Sequence, residues 1–321
     1  MIRLLGVLLM VLILYATLMG CFEKARSPDN HRVLARRLGF YGVLTLGVGI
    51  LIVTGGIDLS IGSLVGLAAV AFGYLMKEHH WPPLPAAAVV VAGSVLIGLF
   101  HGLLVTGLRL QPFLVTLCGL FMYRGIARWL SRGTVELPSE AVQPQAEWLR
   151  SLMVSGKTLG LPHALLLLGV LAALLALVLH GSVYGRYWYA IGYNEQAARY
   201  AGIATERHKI AAYIICSTMA GLGGVLFLLE YRNATPSSAG SLLELYAITG
   251  AVLGGCNLRG GEGTVPGMVL GAAVLPLLAQ ICNTSRYIGS ELEYTVIGGA
   301  LLLATIANEL VTRLSKMRAR A

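Results

Sequence analysis

The chain has 321 residues, of which 56% are hydrophobic and 12% are charged, and its net charge is +9. Soluble domains carry about 25% charged residues, so this composition and a mean hydropathy of +0.75 leave too little polar surface for a soluble particle. Such hydrophobicity also excludes intrinsic disorder, and five cysteines with no C-x-x-C pair exclude a disulfide scaffold and a zinc ribbon. The composition predicts a polytopic membrane protein whose positive charge faces membrane lipid rather than nucleic acid.

Ten apolar segments approach the length of about 20 residues that a membrane-spanning helix needs. The predicted fold class is therefore an all-α polytopic membrane protein with about ten transmembrane helices, organised as a single domain over 1–321. The candidate spans are 3–22, 36–54, 57–76, 84–107, 112–130, 162–180, 209–230, 242–257, 264–282 and 294–312. Two longer polar stretches interrupt them. Residues 131–161 are predicted to form an outer loop with a short surface helix, and residues 181–208 have room for one compact turn and helix.

The Lys and Arg residues do not decide which side of the membrane each loop faces. The basic tail over 313–320 favours an inner C-terminus, whereas the basic cluster over 24–37 argues against an outer first loop.

The first apolar segment ends in a sequence, 18–21, that has the form of a lipoprotein signal with Cys21 as the lipidated residue. We interpret it as an ordinary first spanning helix, because many spans follow and Met19 is unusual in that signal.

Asp58 is one of only two aspartates, and it lies between two apolar runs in TGGIDLSIGS (54–63). A carboxylate inside a membrane is costly unless it is paired or faces water. Asp58 or Ser60 is predicted to cap the second helix of a broken pair through its side chain. Together with Ser63, these residues are also candidates to line a solute path, and the two roles are compatible.

Two further ionisable residues in or near the spans are candidates. Glu244, at the start of the eighth span, is predicted either to cap that helix at the outer surface or to line a vestibule. His101 is predicted to be a hydrogen-bonded residue of the bundle rather than a proton relay, and nothing in the sequence brings it to Asp58.

The near match to a phosphate-binding loop over 151–158 lacks its first glycine. Without a nucleophile or metal motif, no catalytic residue, no metal ligand and no bound cofactor are predicted, and the chain is not expected to be an enzyme.

The segment 181–208 carries the strongest local pattern. Asn194 is a favourable N-cap, Glu195 and Arg199 form an i,i+4 pair within a run of helix formers, and Gly202 is suited to end the helix. The prediction is a rigid two-turn helix that carries the small residues Ala197, Ala198 and Ala201 on its surface. A helix lying on lipid is the alternative, but small residues fit a groove on another protein better.

Three segments in this order, TGGIDLSIGS (54–63), GRYWYAIGYNEQAARYAGI (185–203) and VLGGCNLRGGEGTVPG (252–267), resemble the permease subunits of monosaccharide ABC importers of the ribose, xylose, arabinose and galactoside type. The resemblance implies a transmembrane permease domain of the bacterial inner membrane, with broken helices near its pathway and 181–208 as a cytoplasmic coupling loop. Tyr193 departs from the glycine that is usual at its position.

The resemblance also implies the partners and the site residues. The partners are an ABC ATPase subunit, which binds the ATP and Mg²⁺, a periplasmic sugar-binding protein, and a second copy or paralogue of the permease. The residues assigned to ATPase coupling are Gly185, Arg186, Gly192, Asn194, Glu195, Ala198, Arg199 and Gly202. The residues assigned to the pathway or the helix break are Asp58, Ser60, Ser63 and Glu244. A branched-chain amino-acid ABC permease, an ion-coupled secondary carrier and a membrane scaffold remain as alternatives.

Overall fold

In the computed structural model of the protein, residues 2–285 and positions 295, 298, 299 and 302 are described. Within these residues the chain is a helical bundle, in agreement with the predicted all-α class. In chain order its helices are α1 (Ile2–Cys21), α2 (Pro28–Val53), α3 (Ile61–Glu78), α4 (Pro83–Thr106), α5 (Pro112–Leu130), α6 (Pro144–Arg150), α7 (His163–Gly181), α8 (Val183–Tyr193), α9 (Glu195–Tyr200), α10 (Thr205–Tyr231), α11 (Leu243–Leu253) and α12 (Val265–Thr284).

Eight of the described helices are long and apolar enough to cross a membrane, namely α1 to α5, α7, α10 and α12. The eighth candidate span, 242–257, does not form a full crossing. Its helix, α11, has 11 residues and is about 16 Å long at 1.5 Å per residue, against the ~30 Å of a bilayer core. Gly254 caps it, and Gly255 then reverses the chain with a φ of +94°. The tenth candidate, 294–312, lies outside the described residues apart from four isolated positions.

The segment 131–161 contains the predicted short surface helix, α6, which is followed by one π-helical turn over Ser151–Ser155. Two short antiparallel strand pairs hold this segment in place, and one of them pairs it with the residues that follow α10. The pairs are β1 (Val135–Glu136) with β4 (Asn233–Ala234), and β2 (Lys157–Thr158) with β3 (Leu161–Pro162).

The centre of the bundle is formed by α2 and α10, and α10 packs on α2, α3 and α4. Glycines allow this close approach, as is common between membrane helices. A Cβ added at Gly98 of α4 would lie 2.7 Å from the Ile214 backbone, and one at Gly102 would lie 2.8 Å from that of Ile210. At the periphery, α1 packs on α12 and leaves most of its surface exposed.

The basic cluster over 24–37 is largely engaged within the protein. Arg26 donates hydrogen bonds to two carbonyls at the end of α1. Arg32 pairs with Asp29 at 2.6 Å, and Arg36 pairs with Glu230 at 3.2 Å. Three of these basic residues therefore have partners within the protein. Their positive charge is accordingly a weaker argument against placing the first loop on the outer side of the membrane.

Candidate functional site

A reversal of the chain separates α2 from α3 inside the bundle. The helix α2 ends at Val53, and Gly55 has a φ of +80°, which residues with a side chain rarely adopt. The amides of Gly55 and Gly56 donate to carbonyls of the last turn of α2, so the backbone closes its own turn. Because α3 begins only at Ile61, Asp58 is left in the break, where it is fully buried. The predicted helix break is therefore present at the predicted residues.

The Asp58 carboxylate holds the turn that leads into α3. Its Oδ1 accepts hydrogen bonds from the Ser60 amide at 2.8 Å and from the Ser60 hydroxyl at 2.6 Å. The predicted side-chain cap is wrong in detail: Ser60 occupies the N-cap position of α3, but within the described residues no side-chain hydrogen bond caps this helix. The Ser63 hydroxyl donates to the Ser60 carbonyl at 2.7 Å. All three side chains are buried and serve the local turn.

A histidine and a tyrosine from two other helices complete this buried polar group. His101 of α4 places its Nδ1 3.7 Å from Asp58 Oδ2 and its Nε2 2.7 Å from the hydroxyl of Tyr123 on α5. None of the three residues is more than 5% exposed. The prediction that His101 is a hydrogen-bonded bundle residue is confirmed. Tyr123 was not predicted, because a partner 22 residues away on another helix leaves no local pattern.

On another side of its first turn, α3 meets the segment that leads into α11. Gly62 lies so close that a Cβ there would overlap the Gly240 carbonyl and the Glu244 carboxylate. Arg124 of α5 donates to the carbonyl of Ala239 in the same segment. Glu244 is in the first turn of α11, as predicted, and is half-buried beside α3. The four residues assigned to the pathway or the break therefore lie around one turn of one helix.

Two helices, rather than the one predicted, occupy 181–208. The predicted helix is α9, and α8 precedes it without having been anticipated. Asn194 caps α9 by accepting a hydrogen bond from the Ala197 amide at 3.0 Å. Gly202 follows the last turn with a φ of +83°. The start and the end of α9 are confirmed, and the two helices together are called the α8–α9 segment (183–200) below.

The end of α8 packs directly on the helix break. A Cβ at Gly192 would overlap the Val53 carbonyl oxygen and the Gly261 amide nitrogen, so three stretches of backbone touch here. The Gly261 amide donates to the Val53 carbonyl at 2.9 Å, and the Tyr189 hydroxyl donates to the Gly263 carbonyl at 2.6 Å. Burial raises the pKa of Tyr189 to about 12, so this hydroxyl keeps its proton at neutral pH. The loops before α3 and before α12 are thus both joined to α8.

Four charged side chains hold α9 against the start of α10. Lys209 lies 2.9 Å from Glu195, while Arg199 lies 3.6 Å from Glu195 and 3.8 Å from Glu206. The i,i+4 pair is confirmed, although Lys209 is the nearer partner of Glu195. Partly exposed pairs of this kind add about 0–1 kcal/mol to stability. Their main effect here is to fix the direction of α9.

The exposed face of α9 agrees with the prediction in part, because Ala197 and Ala201 are exposed as predicted. Ala198 is only 5% exposed and packs inward, so it does not offer a small residue to a partner. Tyr193 and Tyr200, which flank the helix, are 87% and 91% exposed. At the other end of the segment, Gly185 is buried in a position where a Cβ would overlap backbone, and Arg186 is exposed. The exposed face therefore presents large aromatic side chains next to small alanines.

Comparison with known proteins identifies relatives over most of the chain. Residues 33–305 match the family described as the permease component of the branched-chain amino acid transport system. The ribose import permease protein RbsC of Escherichia coli K12 is 31% identical over 94% of this chain and 91% of its own. The autoinducer 2 import system permease protein LsrC of E. coli K12 is 34% identical over 82% of this chain and 74% of its own. The inner membrane ABC transporter permease protein YjfF of E. coli K12 is 30% identical over 88% and 85%. No solved structure matches the chain significantly.

Proposed function

This chain belongs to the family described as the permease component of the branched-chain amino acid transport system, and on that premise we propose that it carries a monosaccharide in an ATP-driven importer. It is a multi-pass protein of the inner membrane and a non-catalytic transport subunit. Although the family description mentions amino acids, two relatives that align over most of this chain are named for the import of ribose and of autoinducer 2. Those names are the support for a sugar-like cargo.

The chemistry around the break also favours an uncharged cargo over an amino acid. An amino acid carries a carboxylate and an ammonium group, and each needs a charged or polar partner in a low-dielectric path. Asp58 and His101 face each other, and Arg124 donates to backbone carbonyls. These ionisable groups are thus engaged by the protein itself. A branched-chain amino acid remains the second candidate cargo.

The proposal includes three protein partners. An ABC ATPase subunit binds ATP and Mg²⁺ and contacts the α8–α9 segment, a periplasmic sugar-binding protein delivers the cargo, and a second copy or a paralogue of the permease completes the pathway. The single crossing of α7 separates 131–161 from the α8–α9 segment. If that segment is cytoplasmic, residues 131–161 therefore face outward and are available to the binding protein.

The observation that carries the proposed coupling to the ATPase is the backbone contact of Gly192 with Val53 and Gly261. Closure of the ATPase subunits on ATP displaces α9, and α8 transmits the displacement because it is anchored at its middle and at its end. In the middle of α8, the Trp188 indole donates to the His208 carbonyl at 3.0 Å, and at the end Gly192 presses on the break. The helices α3 and α12 both begin just beyond this contact, so one movement reaches two helices at once.

Reconstitution tests the proposed function directly. The full chain is placed in vesicles with its co-purifying ATPase and the soluble binding protein, and uptake of labelled ribose and other monosaccharides is measured with and without ATP. We expect ATP-dependent uptake of at least one monosaccharide. Uptake of leucine but of no sugar would favour the second candidate, and uptake driven by an ion gradient without ATP would contradict an importer.

Reversing the charge of Glu195 is expected to lower ATP-driven uptake about tenfold. The Glu195→Lys variant repels Lys209 and Arg199, which lie 2.9 Å and 3.6 Å from the carboxylate, so α9 loses its direction while the bundle stays intact. In the Glu195→Lys/Lys209→Glu double variant the pair is restored with opposite polarity, and partial recovery of uptake is expected. Glu23→Lys, at an exposed position between α1 and α2, is the control that leaves uptake unchanged.

Removing the aromatic side chains beside α9 is expected to weaken binding of the ATPase. Large aromatic residues at the centre of an interface contribute more than 1 kcal/mol each, so Tyr193→Ala and Tyr200→Ala should each raise the dissociation constant about tenfold. The measurement is titration of the ATPase subunit onto the permease in nanodiscs. Trp129→Ala, at the other end of the spans and 82% exposed, is the matched control. Equal affinities for all three variants would exclude the tyrosines from the interface.

A further inference from the structure

Asp58 and His101 each aim a buried polar atom at the other. Among the residues that the structure describes, neither Asp58 Oδ2 nor His101 Nδ1 has a hydrogen-bond partner, and the two atoms are 3.7 Å apart. A buried polar atom without a partner is costly. The two atoms therefore stabilise the break only by acting on each other, and a shift of under 1 Å would close the distance to that of a hydrogen bond.

The Asp58 carboxylate determines which nitrogen of a neutral His101 carries the proton, because the Tyr123 hydroxyl can either donate or accept. A neutral imidazole has one donor nitrogen and one acceptor nitrogen. With the proton on Nδ1, His101 donates toward Asp58 Oδ2 and accepts from the Tyr123 hydroxyl, 2.7 Å from Nε2. With the proton on Nε2, two acceptors would face each other across 3.7 Å. Only the first arrangement satisfies all three residues.

The surroundings leave this group little freedom to rearrange. A Cβ at Gly119 of α5 would lie 3.0 Å from His101 Nε2, so α5 packs tightly against the imidazole ring. The ring of Tyr213 on α10 packs edge-on against His101, with the ring centroids 6.4 Å apart. The group is thus enclosed by α4, α5 and α10.

We propose that His101, held by Tyr123, is a positioning residue for transport that orients the Asp58 carboxylate and ties the helix break to α4 and α5. Gly192 presses on Val53, five residues before Asp58. A displacement of α8 therefore reaches the break first. If the break is fixed to α4 and α5, the displacement of α8 moves the whole of α3 as a rigid helix. If the break is not fixed, the displacement only changes the conformation of the turn between α2 and α3. This inference rests on the proposed function for its transport measurement.

Two substitutions of His101 separate positioning from packing. In His101→Asn the amide nitrogen takes the place of Nδ1 and keeps a donor toward Asp58, whereas in His101→Gln it takes the place of Nε2 and loses that donor. Both variants are reconstituted as the full chain with the ATPase and the binding protein. We expect His101→Gln to lower the amount of solute moved per ATP hydrolysed about tenfold, the value of a lost charge-assisted hydrogen bond, and His101→Asn to stay within about twofold of wild type. His79→Gln, at an exposed position, is the control.

A merely structural role would lower the melting temperature of both His101 variants together and leave the solute-to-ATP ratio of the surviving protein unchanged, and this result would overturn the proposal. If His101→Gln does not fold, the solute-to-ATP ratio is measured for Tyr123→Phe instead. An unchanged ratio in that variant would also overturn the proposal. A melting-temperature cycle of Asp58→Asn and His101→Gln, the variant that loses the donor, measures the pair itself without any protein partner. Additive effects in that cycle would refute the pairing. If the two substitutions are coupled but the wild-type protein moves no monosaccharide, the pairing of Asp58 with His101 is supported. Only the proposed monosaccharide cargo is then rejected.

Discussion

The Gly192→Ala variant is expected to lose ATP-driven uptake about a hundredfold while it still inserts into the membrane. The added Cβ overlaps the Val53 carbonyl oxygen and the Gly261 amide nitrogen. Both are backbone atoms that no side-chain rotation can move aside, so α8 must separate from the break. A misplacement of about 1 Å costs about a hundredfold when it misaligns the working groups of an enzyme, and we expect a similar cost at a junction that transmits motion.

The matched control for this prediction is Gly181→Ala at the end of α7. A Cβ at Gly181 has no neighbour within 4 Å among the described residues, so the same methyl group is added close to the α8–α9 segment without a clash. Uptake of the labelled monosaccharide and binding of the ATPase are measured for both variants. Wild-type uptake by the Gly192→Ala protein would show that the contact with Val53 does not transmit movement.

The Gly62→Ala variant is expected to lower the stability of the bundle by about 2–3 kcal/mol, the upper part of the range for overpacking. Its Cβ would overlap the Gly240 carbonyl and the Glu244 carboxylate. The carboxylate can rotate away, but the carbonyl is held because Arg124 donates to the neighbouring Ala239 carbonyl. The segment leading into α11 must therefore move away from α3, and uptake should fall together with the melting temperature.

Gly93→Ala, in the middle of α4, tests the specificity of that effect. A Cβ at Gly93 meets nothing within 4 Å among the described residues, and alanine is the better helix former by about 1 kcal/mol. The melting temperature in detergent should stay equal or rise slightly for this variant. If Gly62→Ala and Gly93→Ala behaved alike, the close packing of α3 against the Gly240 segment would be refuted.

Asp58 illustrates which structural features a local sequence pattern can predict and which it cannot. Its place between two apolar runs predicts a helix break, and the break is present with Asp58 at its centre. The pattern does not specify the hydrogen bonds: the carboxylate accepts from Ser60 instead of capping α3. Its contact with His101 depends on how α4 is rotated about its axis, and helix rotation is set by packing against neighbouring helices.

The amino-acid sequence by itself determined the features that depend on a single turn or a single apolar run. The spans follow from runs of apolar residues, and the start and end of α9 follow from Asn194 and Gly202, which act on atoms a few bonds away. The membrane class and the family resemblance rest on such local features in a fixed order.

The tertiary structure alone decided which of these features meet. It joined Gly192 to Val53 and Gly261, placed His101 between Asp58 and Tyr123, and turned the aromatic residues beside α9 outward while Ala198 went inward. The physical reason is that each contact joins segments far apart in the chain. Their meeting depends on the packing of whole helices, and no residue pattern within one segment encodes that packing.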